Sequence, residues 1–175
     1  MTQPEEKLDP WTVIGNLARH IGSEALDNGG RAELRRMDPD GPLSGRALHR
    51  VLAAHVPEHW LARERLRRWA LIVHVAAILG PELSSSRDAL VKYHSACDLK
   101  EGRLIAFLEA RGEQLLVAAP RIARLCASKG VALNLMELGQ YLLDETHDGP
   151  GAENRRVRIA QAFYRAEHQR QSRAA

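Results

Sequence analysis

Three arginines, Arg31, Arg35 and Arg36, crowd the stretch GGRAELRRM at 29–37, directly behind two glycines. A guanidinium stays charged at any biological pH and presents a planar fork that donates two hydrogen bonds to one phosphate or carboxylate. On a helix, Arg31 and Arg35 stand at i and i+4 and share a face, with Arg36 one step round. Glu33 is the single acid among them. Such a segment can grip a polyanion, or it can brace a bundle by pairing with Glu33 or with the acidic segment before it. The same residue type recurs at Arg63, Arg65, Arg67 and Arg68, at Arg103, at Arg121 and Arg124, and at Arg155, Arg156 and Arg158. The candidate nucleic-acid contacts are Arg31, Arg35, Arg36, Arg63, Arg67, Arg103, Arg121, Arg124, Arg155, Arg156 and Arg158. Solvated helix faces are the plain alternative for each cluster.

Other chemistry is thinly represented. There is no nucleophile elbow, no phosphate-binding loop with its lysine and no dinucleotide glycine fingerprint. His55 and His59 have the spacing of two ligands on one helix face, but Pro57 lies between them and no cysteine or acid follows at ligand spacing. Glu137, Asp144 and Glu145 could in principle pair for acid–base work, though acids on amphipathic helices usually face solvent. His74 falls inside an apolar run and reads as a satisfied core or interface histidine. Cys97 and Cys126 have neither metal nor redox spacing and read as reduced, buried thiols. The expectation is a protein that is not an enzyme and holds no metal or cofactor.

The elements that carry these residues read as helices throughout. Apolar residues make up 45% of the chain and charged residues 27%, the balance of a folded globular protein, while aromatics are only 5%. Alanine, leucine and arginine dominate, and straight-chain residues lose little rotamer freedom in a helix. Asp9-Pro10 is a start signal, and Trp11, Ile14, Leu17, Ala18, Ile21 and Ala25 continue a helical stripe until Asn28-Gly29-Gly30 stops it. A short helix over the arginine stretch ends at Asp38-Pro39-Asp40-Gly41-Pro42. Ser44 can cap a third helix to about His55. A fourth runs from about Glu58 to Leu79, with Trp60 and Trp69 in its apolar face, Arg63 to Arg68 on the other side, and Gly80-Pro81 as its break. Ser86 can cap a fifth over 87–96. Arg103–Arg111, Gln114–Ser128, Asn134–Glu145 and Glu153 to about Gln169 complete the set. No alternating strand pattern occurs. The fold class is all-α: two small helical bundles of about nine helices, 1–98 and 99–175, joined near Asp98–Gly102.

Charge is uneven along the chain. Residues 1–28 carry two basic and five acidic side chains; 29–80 carry nine and five; 81–149 carry eight and ten; 150–175 carry six and two. Two separated basic segments point to a polyanionic partner. The opening residues, MTQPEEKLDP, are acidic and unlike a secretory signal, and no apolar run approaches the ~20 residues of a membrane span. The expected setting is the cytoplasm, without a membrane partner.

The motifs resemble those of the CasB family, the small subunit of the type I-E CRISPR Cascade complex. Its Gly-x-x-Ala-x-hydrophobic-Arg-Arg core is matched by Gly29 or Gly30, Ala32, Leu34, Arg35 and Arg36. KEGRLIAFLEARGEQLLVAAPRIARLCASKGVALNLMELGQYLL at 100–143 is similar to the family's C-terminal block through Arg103-Leu104, Arg121 to Arg124 and Val131-Ala132-Leu133. Asn134-Leu135 stands where an Asp-Trp pair is common, a departure that still leaves a good helix cap. RRVRIAQAFYRA at 155–166 fits the terminal basic helix. The resemblance implies an all-α, non-enzymatic protein of two helical domains. It implies partnership with a CRISPR RNA, with target and non-target DNA strands, with the large and backbone Cascade subunits, and with a second copy of the chain. It also implies basic grooves that support the guide–target heteroduplex and hold the displaced strand. A stand-alone helical nucleic-acid-binding protein and an interaction module for acidic proteins remain open alternatives at this point.

Overall fold

The computed structural model describes residues 8–83, 100–145 and 150–174, apart from the side chains of Arg63, residues 81–83 and Ala174. Among these residues there are eight α-helices and no strand: α1 Pro10–Gly22, α2 Asn28–Arg36, α3 Arg46–His55, α4 Arg63–Leu83, α5 Glu101–Glu109, α6 Gln114–Ser128, α7 Leu135–Asp144 and α8 Pro150–Ala174. A 3₁₀ turn, Glu58–Trp60, precedes α4. The expected helix at 87–96 and Cys97 lie outside the described residues. So does the point at 98–99 where the chain was expected to divide.

The local code sets most of the boundaries. Asp9 accepts a hydrogen bond from Thr12 N at 3.0 Å and Pro10 opens α1. Asn134 caps α7 by accepting from Glu137 N at 3.0 Å. Gly130 follows α6 in the left-handed conformation at φ 64°, which costs glycine nothing. Gly80, at φ 73°, interrupts α4 where the sequence predicted a break.

Several boundaries differ from the reading of the sequence. α4 begins at Arg63, behind the separate 3₁₀ turn that holds Trp60, rather than at Glu58, and α8 begins at Pro150 rather than Glu153. α1 does not run to Asn28 but ends at Gly22, where Ser23 Oγ turns back to donate to His20 O at 2.9 Å. The chain then turns, and Asp27 caps α2 by accepting from Gly30 N at 2.6 Å. Gly29 and Gly30 therefore form the first turn of α2 rather than the stop of α1. A Cβ on Gly30 would lie 2.8 Å from Leu26 Cδ1, so the small residue admits the preceding turn. The cap of α3 is also not Ser44. Gly45 takes that place, and the side chain that receives the helix's Ala47 N–H, at 2.9 Å, is Glu33 of α2. A Cβ at Gly45 would stand 2.7 Å from Glu33 Oε1, so a larger residue there would displace the carboxylate that caps α3.

α4 lies at the centre. Its residues from Trp69 to Ala77 are all buried. It packs against α1, α2 and α3, and also against α6 and α7. Trp69 is 1% exposed and stacks on Trp60, ring centroids 5.9 Å apart. Side chains from both the N-terminal and C-terminal halves, such as Ile14, Val73, Leu115 and Leu138, belong to one continuous cluster. No described helix is long and apolar enough to cross a membrane.

α1 and α7 approach closely where α7 offers Gly139 at the crossing. A Cβ on Gly139 would fall 2.9 Å from Ile14 Cδ1 and 3.2 Å from its Cγ2, and one on Gly15 would meet Met136 Sδ at 3.4 Å. Ile14 is fully buried and its branched side chain has little rotamer freedom to yield. Gly139→Ala should therefore destabilise the protein by roughly 1–3 kcal/mol through overpacking, read as a fall in thermal midpoint of about 2–4 °C per kcal/mol. Gly102→Ala, at a helical site with open space, is the control and should leave the midpoint unchanged or raise it.

Candidate nucleic-acid interface

The arginines of α2 turn largely toward backbone carbonyls. Arg31 donates from Nε to Leu26 O at 3.1 Å and from Nη2 to Ser23 O at 2.7 Å, closing the turn after α1. Arg35 donates from Nε to Ala77 O at 2.7 Å, just ahead of the break at Gly80. Carbonyls at a helix end have no intrahelical partner and carry the negative end of the helix dipole, so a guanidinium is a suitable cap for them. Arg36 is exposed and makes no hydrogen bond or ion pair with a described residue; Leu34 between them is 1% exposed and anchors the helix.

The cluster in the first turns of α4 divides in the same way. Arg63's side chain lies outside the described residues. Arg67 donates from one nitrogen to Pro39 O, Asp40 O and Gly41 O at 3.0, 2.9 and 3.2 Å, holding the loop between α2 and α3. Arg68, which the helical pattern placed on a polar face, is only 7% exposed. Its Nη2 donates to Gly112 O at 3.0 Å, its Nη1 is buried without a hydrogen bond, and burial lowers its pKa against the opposing pull of Glu145.

At the other end of the chain, α7 and α8 are joined by a row of ion pairs. Arg155 meets Asp144 at 2.6 Å, Arg158 meets Glu137 at 3.3 Å, and Arg156 binds both Glu145 and, at 2.7 Å, Glu153. The Glu145 side chain is 2% exposed and that of Arg156 13%. The three acids that could have served acid–base chemistry are thus the partners of three arginines that could have served phosphate binding. Arg158 keeps 64% of its side chain exposed.

Arg103 on α5 and Arg121 on α6 are exposed, make no hydrogen bond or ion pair with a described residue, and flank one groove. Arg124, one turn beyond Arg121, is exposed and reaches His74 Nε2 from Nη2 at 3.5 Å. His74 is 1% exposed, and its Nδ1–H donates to Leu34 O at 2.7 Å, which leaves Nε2 as the acceptor. A single imidazole therefore links α2, α4 and α6. Burial pushes its pKa below the ordinary 6.5, and Arg124 adds to that, while the Leu34 carbonyl and Asp38 oppose it. His55 does not pair with His59. Its ring lies edge-on to His20, centroids 4.8 Å apart, and burial and His20 together lower its pKa. Among the described residues no group of three histidines, cysteines or acids could hold a metal ion.

Two outcomes follow. Because His74 has a folded pKa below 6.5, the unfolded chain binds the extra proton. Its contribution to stability is complete above pH 6.5 and is lost as pH falls through the folded value. Urea midpoints measured from pH 7.5 to 5 should fall on acidification, and His74→Gln, which can still donate to Leu34 O, should flatten that slope by up to about 1.4 kcal/mol per pH unit. Separately, Arg156→Ala leaves the buried Glu145 with only its longer contact to Arg111 Nε, at 3.9 Å, and should cost about 3 kcal/mol. Arg36→Ala should stay within about 0.5 kcal/mol of the parent in the same melts.

A family model for CRISPR-associated protein Cse2 matches residues 30–164. Neither the curated proteins nor the solved structures gave a match. The matched region begins inside the arginine helix, takes in the central α4 and the α5–α7 block, and ends with the aromatic pair of α8; the chain belongs to the Cse2 (CasB) family, the small subunit of the type I-E CRISPR Cascade complex.

Proposed function

We propose that this chain is a non-catalytic electrostatic support within a cytoplasmic Cascade, where it steadies the guide–target heteroduplex and the displaced non-target strand. The observation that carries this reading is the family match over residues 30–164. Physical chemistry supports the finer role. Replacing DNA duplex by RNA–DNA heteroduplex is close to energetically balanced, so a few contacts to backbone phosphates can tip it. Such contacts carry no sequence information, which the guide supplies. The chain has few aromatics for stacking, so charge must do the holding. Two copies in one assembly would double the number of such contacts.

The arginines available for that role are fewer than the charge map suggests. Arg31, Arg35, Arg67, Arg155 and Arg156 already have partners within the fold. Arg36, Arg124 and Arg158 combine exposure with at most one long polar contact to a described residue, at 3.5 Å for Arg124 and 3.3 Å for Arg158. They are the proposed phosphate contacts.

Replacing Arg36 and Arg124 together with Ala should weaken target-DNA binding by the assembled complex equally for unrelated target sequences. Each lost contact should reduce the salt slope by about 0.7 on a single strand or about 0.9 on duplex. Titrations at several salt concentrations measure this, with melts of the isolated variant as control. An unchanged affinity and slope would remove both residues from the binding surface. The isolated parent chain should cleave neither DNA nor RNA, and cleavage that survives purification to homogeneity would refute the non-catalytic role.

A further inference from the structure

The groove between α5 and α6 has a volume of about 640 Å³ and a composition unlike that of a phosphate track. Its floor is apolar, formed by Phe107, Ala118, Ile122 and Leu125, and Val117 on its wall is 48% exposed. The charged residues that line it are Arg103 on one rim and Arg121 on the other. Neither guanidinium has an acceptor among the described residues, whereas the nearby Arg111 is engaged by Leu108 O at 2.7 Å, Ala110 O at 3.0 Å and Glu145 at 3.9 Å.

Nucleic acid fits this groove poorly. A sugar–phosphate chain laid along it would place its charges over an apolar floor, where desolvation is unfavourable. Base stacking has no platform, because Phe107 is 2% exposed and its ring tilts against Tyr141 within the core, centroids 5.2 Å apart. The exposed apolar stripe on this chain's own α8 fits no better. Val157 and Tyr164 there are 46% and 48% exposed, but Arg165 and His168 share that surface with them, and in a second copy Arg165 would bring positive charge toward Arg103 and Arg121. An amphipathic helix with carboxylates beside its apolar face fits both features at once. Its apolar side chains at i, i+3 and i+4 would fill the groove, and the two rim arginines would each bind a carboxylate in bidentate fashion.

We propose that the α5–α6 groove docks an acidic amphipathic helix of another protein subunit, and that Arg103 and Arg121 are its carboxylate clamps rather than phosphate contacts. The inference rests on membership of a Cascade assembly and adds the place and chemistry of one protein–protein joint within it.

The test uses the complete complex, co-expressed with its CRISPR RNA. With the photoreactive residue p-benzoylphenylalanine in place of Val117, irradiation should join this chain to a peptide of a different subunit that carries at least two Asp or Glu within about two helical turns. Arg103→Glu with Arg121→Glu should speed dissociation of this chain from the complex by about tenfold or more. Circular dichroism melts should show the isolated variant folded, and Arg in place of the cross-linked acids should restore binding. Cross-links to RNA, to DNA or to a second copy of this chain would overturn the proposal, as would unchanged dissociation of the doubly reversed variant. If the parent chain itself fails to co-purify with Cascade subunits, the assembly reading fails and the groove's assignment fails with it. A parent chain that assembles while both arginine reversals are silent sinks the groove alone.

Discussion

From Trp69 to Ala77, α4 is apolar in every direction but one, and a helix of that kind is stable in water only when other helices cover it on all sides. That requirement organises the molecule. α1, α2 and α3 cover part of the cylinder, and α6 and α7 cover the rest. Fully burying a large side chain such as Leu71 or Ile72 contributes roughly 1.5–3 kcal/mol, so the covering helices are held far more by this surface than by their own propensities. The one polar side chain in the run is His74, and a buried imidazole without partners would be costly. It finds Leu34 O on α2 and faces Arg124 on α6. The central constraint therefore fixes the arginine helix at the same time as it builds the core.

The chain is rich in arginine, and the fold consumes much of that charge internally. Arg31, Arg35, Arg67 and Arg111 each donate to backbone carbonyls at helix ends or in turns, where the peptide groups lack intrahelical partners. At Arg31 the planar fork reaches two carbonyls from two nitrogens, Nε on Leu26 O and Nη2 on Ser23 O, a fixed geometry that the flexible ammonium of lysine does not preorganise. Arg155 and Arg156 fasten α8 to α7 by way of carboxylates, while Arg158 adds an exposed contact to Glu137. One residue type thus supplies both the staples for a bundle of short helices and, at positions such as Arg36, Arg103 and Arg121, a modest exposed positive field. A modest field is consistent with a formal net charge of only +3 and with a protein that acts as part of an assembly.

The sequence by itself determined the class of the fold and most of its punctuation. Helical periodicity, the Asp9-Pro10 start, the Asn134 cap and the Gly80 and Gly130 stops are local properties, fixed by residues within one turn of each other. Where the reading failed, the deciding group was distant or ambiguous. Ala25 and Leu26 prolong the apolar stripe of α1, yet Leu26 is buried from a turn, because Ser23 and Arg31 satisfy the carbonyls that a longer helix would have used. The cap of α3 comes from Glu33, a residue of another helix. Arg68 looks solvated on a helical wheel, but the turn between α5 and α6 brings Gly112 O onto it. The roles of the arginines were legible only as a list of candidates. Whether a guanidinium binds a carbonyl, a carboxylate or nothing depends on which acceptors packing brings within about 3 Å of it. For Arg35, Arg67 and Arg68 those acceptors are Ala77 O, the Pro39–Gly41 carbonyls and Gly112 O, which lie far away in the chain and become neighbours only after α4 has been enclosed.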